Sequence, residues 1–423
     1  MLTLDLDVSE HRLGNGLRVL LHRDLALPLV AIDLWYHVGS RNERLGRTGL
    51  AHLFEHMLFQ GSANVGTNDH FKHVQAVGGV ANGSTWYDRT NYYETVPAHA
   101  LELGLWLEAD RMGWLLPALT EEKLETQRDV VLNERLQQVD NQPYGRALER
   151  LHELLYPHGH PYSWPVIGYT EDIEAADLDD VRRFFERHYR PNNAVLTLAG
   201  DVDIAALDLV ERYFGEIPAG PEVGRQERPH DTTRRAASET LVDDVPLRRA
   251  YLGARLDGYG SPQWYAADLL STCLTGGKSS LLYRDLVYDR QLAQNVAAML
   301  FPTELESTFL IIATAKPETD IEELVARIEE HLDRLGSAEL AADLVESARQ
   351  QSLVAFFDGL QGLARRADLL CRYATFVDDP GWLVSELDAY RNLTPADLRR
   401  VAAERLEPAR LTRVTVVPPS GSP

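Results

Sequence analysis

Cysteine is nearly absent from this 423-residue chain: Cys273 and Cys371 are the only two. Two cysteines cannot build a disulfide scaffold or a cysteine-rich zinc module, and a pair of buried thiols is the expected state. Basic residues are also in deficit. The 42 Lys and Arg face 64 Asp and Glu, for a formal charge of −22, so the cationic footprint that non-specific nucleic-acid binding rests on is missing. No apolar run approaches the length that spans a bilayer, and segments such as Ser307 to Ala315 are strand-sized. The first ten residues, MLTLDLDVSE, carry acids where a signal peptide has a basic segment followed by an apolar one. With Met1 as the start the chain is expected in the cytoplasm, or in the periplasm for a form whose leader has been removed. Apolar content, by contrast, is ordinary at 44%. That is enough to offset the entropy of ordering, over a length that predicts two or more domains.

Local patterns supply the elements. Alternation around His11 to Leu13 and Leu17 to His22, joined by Asn15-Gly16, predicts a hairpin whose Asn-Gly pair takes both φ > 0 positions. A third strand over Val30 to Val38 leads through a loop, Gly39 to Gly49, into a helix from about Gly49 to Phe59 that Gly61 ends. Thr120 followed by Glu121 and Glu122 predicts an N-cap with acids at the positive end of a helix running to about Gln138. The stretch 219–237 is rich in Pro, Gly and charge and lacks an apolar period, which marks a linker.

An internal repeat flanks that linker. Asp180-Val181-Arg182-Arg183 with Pro191 and the strand Val195 to Ala199 recurs as Asp397-Leu398-Arg399-Arg400 with Pro408 and Thr412 to Val416. Asp180 is as far from Asp397 as Pro191 is from Pro408, so spacing is kept along with residue type. The expected domains are therefore 1–218 and a homologous 238–423. Each orders strands and helices in a hairpin-rich way that predicts an α+β class, with mostly antiparallel sheets carrying helices.

Chemistry concentrates at His52-Leu53-Phe54-Glu55-His56. Residues four apart share a helical face, so both imidazoles reach one ion while Glu55 borders them. Two neutral imidazoles suit zinc, and a catalytic zinc needs a third protein ligand and an open position. The order is the inverted zincin motif, H-x-x-E-H.

The run Gly49 to Gly61, GLAHLFEHMLFQG, resembles the pitrilysin/insulysin and mitochondrial-processing-peptidase family of inverzincin metallopeptidases. The resemblance implies a third ligand, a glutamate on a second helix well downstream of the histidines. Glu134, at the end of the run RDVVLNE, fits it. The resemblance further implies one Zn2+ per chain held by His52, His56 and Glu134, with Glu55 as general base. It also implies that Val77 to Thr85, followed by Asp88-Arg89-Thr90-Asn91-Tyr92, forms an edge strand on which substrate lies as an added strand, through Asn82, Gly83, Ser84 and Thr85. Gly83 stands where the family has Ala, which loosens that strand. His160-Pro161-Tyr162 and Tyr189 to Asn193 match as architecture.

Departures from the family are informative. Two helical turns before the zinc glutamate the family carries a second Glu, and here it is Gln127, which changes the charge behind the ligands. Active single-chain members carry an Arg and a Tyr in the second half, where this chain has Val287 and Gln294. The offset of the internal repeat maps His52, Glu55, His56 and Glu134 to Leu269, Thr272, Cys273 and Gln351, so the second half lacks a metal site. The resemblance thus implies the zinc-bearing chain of a bacterial two-subunit enzyme, two homologous domains forming half of a clamshell. A paralogous partner would supply the Arg/Tyr pair in a heterodimer, in preference to a homodimer. The expected function is zinc-dependent endopeptidase action on peptides or unfolded segments in a closed chamber. The alternative is a non-catalytic core subunit of the same fold. Gly277-Lys278-Ser279 lacks the glycine a phosphate loop requires upstream, at the position of Thr272, and His70 and His73 read as ordinary surface or hydrogen-bonding histidines.

Overall fold

The computed structural model describes residues 6–224, 236–338 and 340–419, so 225–235 of the linker stretch lie outside the described residues. The first half holds strands β1 (Val8–Arg12), β2 (Arg18–Arg23), β3 (Leu29–Tyr36), β4 (Val80–Thr85), β5 (Thr90–Pro97) and β6 (Ala194–Gly200). Its helices are α1 (Leu50–Met57), α2 (Asp69–Ala76), α3 (Leu101–Trp114), α4 (Glu121–Arg135), α5 (Ala147–Leu155), α6 (Thr170–Glu174), α7 (Leu178–His188) and α8 (Ala206–Phe214). The second half adds β7 (Ser238–Val242), β8 (Arg249–Asp257), β9 (Ala293–Phe301), β10 (Glu306–Ala315) and β11 (Thr412–Val417). With them come α9 (Pro262–Thr275), α10 (Ile321–Ser337), α11 (Ala342–Gly359), α12 (Leu363–Arg372), α13 (Leu383–Asn392) and α14 (Pro395–Arg405).

The two sheets repeat one another. The first runs β1-β2-β6-β3-β5-β4 and the second β7-β11-β8-β10-β9, so raising each label of β2-β6-β3-β5-β4 by five gives the second sheet. Strand senses agree as well: β2 with β6 and β7 with β11 are parallel, and the other neighbours are antiparallel. Both ends of α7 and α14 are displaced by the offset of the sequence repeat, from Leu178 to Pro395 and from His188 to Arg405. Each has a side-chain cap at the matching position, with Asp177 accepting from the Asp180 amide and Thr394 from the Asp397 amide. The class is α+β, built of two like domains.

Packing regroups two pieces of chain. Over the described residues, Met1–Arg135, Trp164–Arg225 and Asp358–Val384 make one compact unit, and Leu136–Ser163, Gln226–Phe357 and Ser385–Pro423 the other. The physical reason is that each central sheet is apolar on both faces. On β3, Val30, Ile32, Leu34 and Tyr36 enter the main core, while Ala31 and Trp35 point to the opposite face, where Ala367, Leu370 and Cys371 of α12 cover them. In the second unit α5 does the same service, laying Ala147 and Leu151 against Tyr251, Leu310 and Val414. Cys273 and Cys371 are both free and buried. Among the described residues no helix is long and apolar enough to cross a membrane.

The first hairpin departs from expectation. Only Gly16 takes a positive φ, of 93°, and Asn15 does not. The Gly16 amide donates to the Leu13 carbonyl and the Leu13 amide to the Leu17 carbonyl, so the connection is longer than a two-residue turn. Asn15 instead donates its side chain to the carbonyls of Phe214 and Ile217, at 2.8 and 2.9 Å, and pins the turn to the end of α8.

The main core also encloses charge. His70 of α2 is buried, which rules out the surface half of its reading as a surface or hydrogen-bonding histidine, and its Nε2 lies 3.7 Å from Glu94 Oε2 on β5. Arg111 of α3 donates from Nε to Glu108 Oε2 at 2.8 Å, and its guanidinium lies 4.1 Å from the Tyr92 ring centroid and 5.2 Å from that of Phe59. Gly104 makes the room, since a Cβ there would stand 2.5 Å from Glu94 Oε1. His70, Glu94 and Glu108 bring ligand-type atoms within 4.8 Å of one another. The Arg111 guanidinium already supplies the cation such a nest requires.

Burial pushes the Glu94 carboxyl up from 4.5 to about 7, against the opposing charge of Arg111, and pushes His70 down to about 3. Below neutrality the nest therefore keeps a proton on Glu94 and leaves His70 neutral. An acid whose folded pKa is raised confers stability that is complete below the unfolded value and is lost as pH rises through the folded one. E94Q is therefore expected to match wild type near pH 5 and to exceed it at pH 8, by on the order of 3 kcal/mol. Denaturant unfolding at the two pH values checks this, and a gap that does not widen with pH refutes it.

Candidate metal centre

Helix α1 is capped from the loop that precedes it. Gly49 sits at φ 85°, and the Glu43 carboxylate accepts from the amides of Gly49 at 2.9 Å and Ala51 at 2.7 Å. An anion at these unpaired N–H groups also meets the positive end of the helix dipole. Burial raises the Glu43 carboxyl well above the usual range, and the two amide bonds oppose that rise. The apolar face, Leu50, Leu53, Phe54 and Met57, is buried in the main core, with the Phe54 ring 4.1 Å from Tyr189. Pinning that face leaves His52, Glu55 and His56 on the other.

Helix α4 supplies the opposing wall. Thr120 Oγ1 accepts from the Lys123 amide at 3.3 Å, in the role expected of the cap. Leu124, Gln127 and Val131 are buried, and Glu134 follows them on the seam with α1. Glu134 Oε2 lies 3.7 Å from His52 Nε2 and 3.4 Å from His56 Nε2. Ligand atoms of the three residues all fall within 4.8 Å of one another. Donors on a tetrahedral ion at zinc–nitrogen distances are separated by about 3.3 Å, so this set is spaced for one ion.

Protonation follows from the surroundings. Burial lowers His52 to about 4, helped by His56 and opposed by Glu134, which keeps that imidazole neutral as a ligand must be. Burial lowers His56 too, yet its hydrogen bond to Glu134, the charges of Glu55 and Glu134, and its hydrogen bond to the Gln127 side chain together raise it. Gln127 thus meets one of the candidate ligands, from two turns before Glu134. Burial raises the Glu55 carboxyl, while the Thr85 hydroxyl and the charges of His56 and Arg89 restrain the rise.

Strand β4 is the edge of the first sheet and pairs in register with β5 from Val80 opposite Thr95 to Thr85 opposite Thr90. Thr85 Oγ1 donates to Glu55 Oε2 at 2.6 Å. Ser84 Oγ donates to Asn91 Oδ1 at 2.7 Å, and exposed Asn82 accepts the Gly83 amide on its own side chain at 2.9 Å. The Gly83 register is regular, and a Cβ there would stand 3.1 Å from both Glu55 Oε1 and Phe59 and 3.2 Å from Tyr92. The glycine opens space beside Glu55. Sequence patterns carried no sign of the Glu43 cap, which acts from an irregular loop, nor of the bond from Thr85 to Glu55.

In the second unit Leu269 and Cys273, the counterparts of the two histidines, are buried in the core, and Thr272 Oγ1, the counterpart of Glu55, meets Ser352 Oγ of α11 at 3.4 Å. Val287 packs against that core and Gln294 is exposed on β9.

A family model described as Insulinase (Peptidase family M16) matches residues 18–164, and one described as the Peptidase M16 inactive domain matches residues 175–352. The chain is 31% identical to the zinc protease PqqE of Helicobacter pylori over 418 residues, which are 96% of this chain and 92% of that protein. It is similar to a solved protease from Helicobacter pylori at a TM-score of 0.90 and 29% identity, over 98% of this chain and 100% of the other. A peptidase M16 inactive domain from Pseudomonas fluorescens shares the fold at a TM-score of 0.88 and 19% identity, over 99% of each chain. Two family matches in order along the chain, and a relative of this identity over almost its full length, carry the same conclusion: the protein belongs to the insulinase family of peptidases, M16.

Proposed function

We propose that the chain is the zinc-bearing subunit of a two-subunit endopeptidase that cleaves peptides or unfolded segments. The observation that supports it most is the meeting of the His52 and His56 donors of α1 with Glu134 of α4, with Glu55 on the same face of α1 and beside the edge strand β4. Zinc held by those three residues would polarise a scissile carbonyl and bring a water toward a pKa of about 7. Glu55 is the group placed to take the water proton and pass it to the leaving amine. An extended peptide would add to β4 by backbone hydrogen bonds, which bind without demanding a particular sequence. Asn82 would then exchange its bond to the Gly83 amide for one to substrate.

A paralogous partner is part of the proposal because Val287 offers no donor and Gln294 only a neutral amide where an Arg/Tyr pair would stabilise a developing oxyanion. Together the two chains would enclose the peptide in a chamber, and folded proteins would be excluded. The complete donor set with its base argues against a non-catalytic core subunit, which has no use for Glu55 beside three metal ligands.

The wild-type chain is expected to bind one zinc, E134A to lose it, and E55Q to keep it while losing turnover. Metal analysis with a peptide assay checks all three, and an E55Q protein that cleaves at the wild-type rate removes Glu55 from the role of base. Since the proton on His56 competes with the ion, zinc affinity should fall from pH 8 to pH 6, as read by competition with a chromogenic chelator. Purified alone, the chain should be weakly active or inactive and gain activity with its paralogue. Full activity as a homodimer refutes the division of labour.

A further inference from the structure

Strand β4 alternates faces, as any strand does. Gly83 and Thr85 look toward α1, where the space beside Gly83 borders Glu55 Oε1 and the Thr85 hydroxyl is bonded to Glu55 Oε2 at 2.6 Å. Ser84 looks the other way and is held there by Arg89, whose Nη1 donates to the Ser84 carbonyl at 2.8 Å, to Ser84 Oγ at 2.5 Å and to Asn91 Oδ1 at 3.0 Å. Arg89 is itself fixed, with its guanidinium 5.4 Å from the Trp35 ring centroid. Asn91 is anchored in turn by donating to Asp33 Oδ1 on β3 at 2.9 Å. A chain of contacts therefore runs from the sheet interior through Arg89 and Ser84 to the next residue, Thr85, and ends on the carboxylate of Glu55.

The donor in that last bond is well defined. Thr90 Oγ1 gives its proton to the Val38 carbonyl at 2.9 Å and stands 3.5 Å from Thr85, too far to compete with Glu55. Thr85 carries a single hydroxyl proton and donates it to the carboxylate, a charge-assisted bond of the stronger kind. Its β-branched side chain is also stiff at χ1, so the strand backbone dictates where the hydroxyl points.

We propose that Thr85 is a positioning residue for Glu55: the strand expected to receive the peptide also aims the base, through one hydroxyl whose place Arg89 fixes. This rests on the reading of Glu55 as base and β4 as substrate strand, and adds that the two are one mechanical unit. A peptide that docks out of register on β4 would then disturb Thr85 and misalign Glu55 as well as its own scissile bond. Only a properly paired strand would meet an aimed base.

The test compares T85V, which keeps shape and loses the hydroxyl, with T85S, which keeps the hydroxyl, in the full-length zinc-loaded chain with its paralogue. T85V should lower kcat on the order of 10- to 100-fold, as misplacement of a reacting group does, with KM within about two-fold of wild type and one zinc retained. T85S should restore most of the loss. Crystal structures of the zinc-free variants give a readout independent of activity: the Glu55 carboxylate should leave its place beside β4 in T85V and keep it in T85S. A T85V enzyme with unchanged kcat, a rise in KM alone, or a zinc-free T85V structure with Glu55 unmoved each overturns the proposal. If wild type cleaves no peptide with zinc and partner present, the endopeptidase reading fails instead, and the zinc-free structures alone decide whether Thr85 holds Glu55.

Discussion

Two imidazoles and two carboxylates share one half-buried seam between α1 and α4, and much of the first unit is arranged to make that tolerable. Burial makes the negative charge of Glu55 costly, and the neighbouring Glu134 adds to that cost. Positive charge relieves it: a proton on His56 when nothing else is there, or an ion shared by His52, His56 and Glu134. The seam is thus built to be neutralised from outside. Such a site holds its geometry only if both helices are fixed by something other than the site itself. For α1 this is the buried face around Phe54 and the Glu43 cap, and for α4 the buried Leu124 and Val131.

What could be read from the chain alone follows the reach of local rules. Helical spacing made His52, Glu55 and His56 neighbours, because the period of a helix holds wherever a helix forms. Glu134 required a family resemblance, since nothing local links a residue on α4 to one on α1. The internal repeat was legible because Asp180, Arg182, Arg183 and Pro191 recur at one offset as Asp397, Arg399, Arg400 and Pro408, and the two helices are capped at matching positions by different residues, Asp177 and Thr394. Burial of His70 beside Glu94 was not legible, because an α2 histidine and a β5 acid meet only after the sheet has formed. Asn15-Gly16 misled in the same way: its local preference for a two-residue turn gave way to the hydrogen bonds that the Asn15 side chain makes with Phe214 and Ile217. The exchange of α5 and α12 between units was hidden too, as helix amphipathicity says that a face is covered without saying by which sheet.

The second unit shows what the architecture keeps once the donors are gone. Its sheet order and senses copy the first, and α9 and α11 still approach at Thr272 and Ser352. Leu269 and Cys273, at the positions of the histidines, are buried apolar contributors to the core. Core residues in place of half-buried imidazoles and carboxylates carry none of the electrostatic cost of the seam. Ligand pairs of this kind persist in a chain only against that cost, and their presence in the first unit alone is a physical asymmetry between two otherwise like folds.

The edge strand draws these lines together. A carboxylate held only by its own helix would inherit the freedom of a long, flexible side chain, and like charge would push Glu55 away from Glu134. Thr85 gives Glu55 a second point of attachment on a different element, and Gly83 leaves the other oxygen uncrowded. The cost is that β4 must be rigid although it lies at a sheet edge, where strands are usually least constrained. Arg89, inserted between Ser84 and Trp35 and tied through Asn91 to β3, supplies that rigidity from the face opposite the site. An edge left open on one side, yet braced from behind, would reconcile the two demands that the proposed peptide docking and proton transfer place on the same short strand.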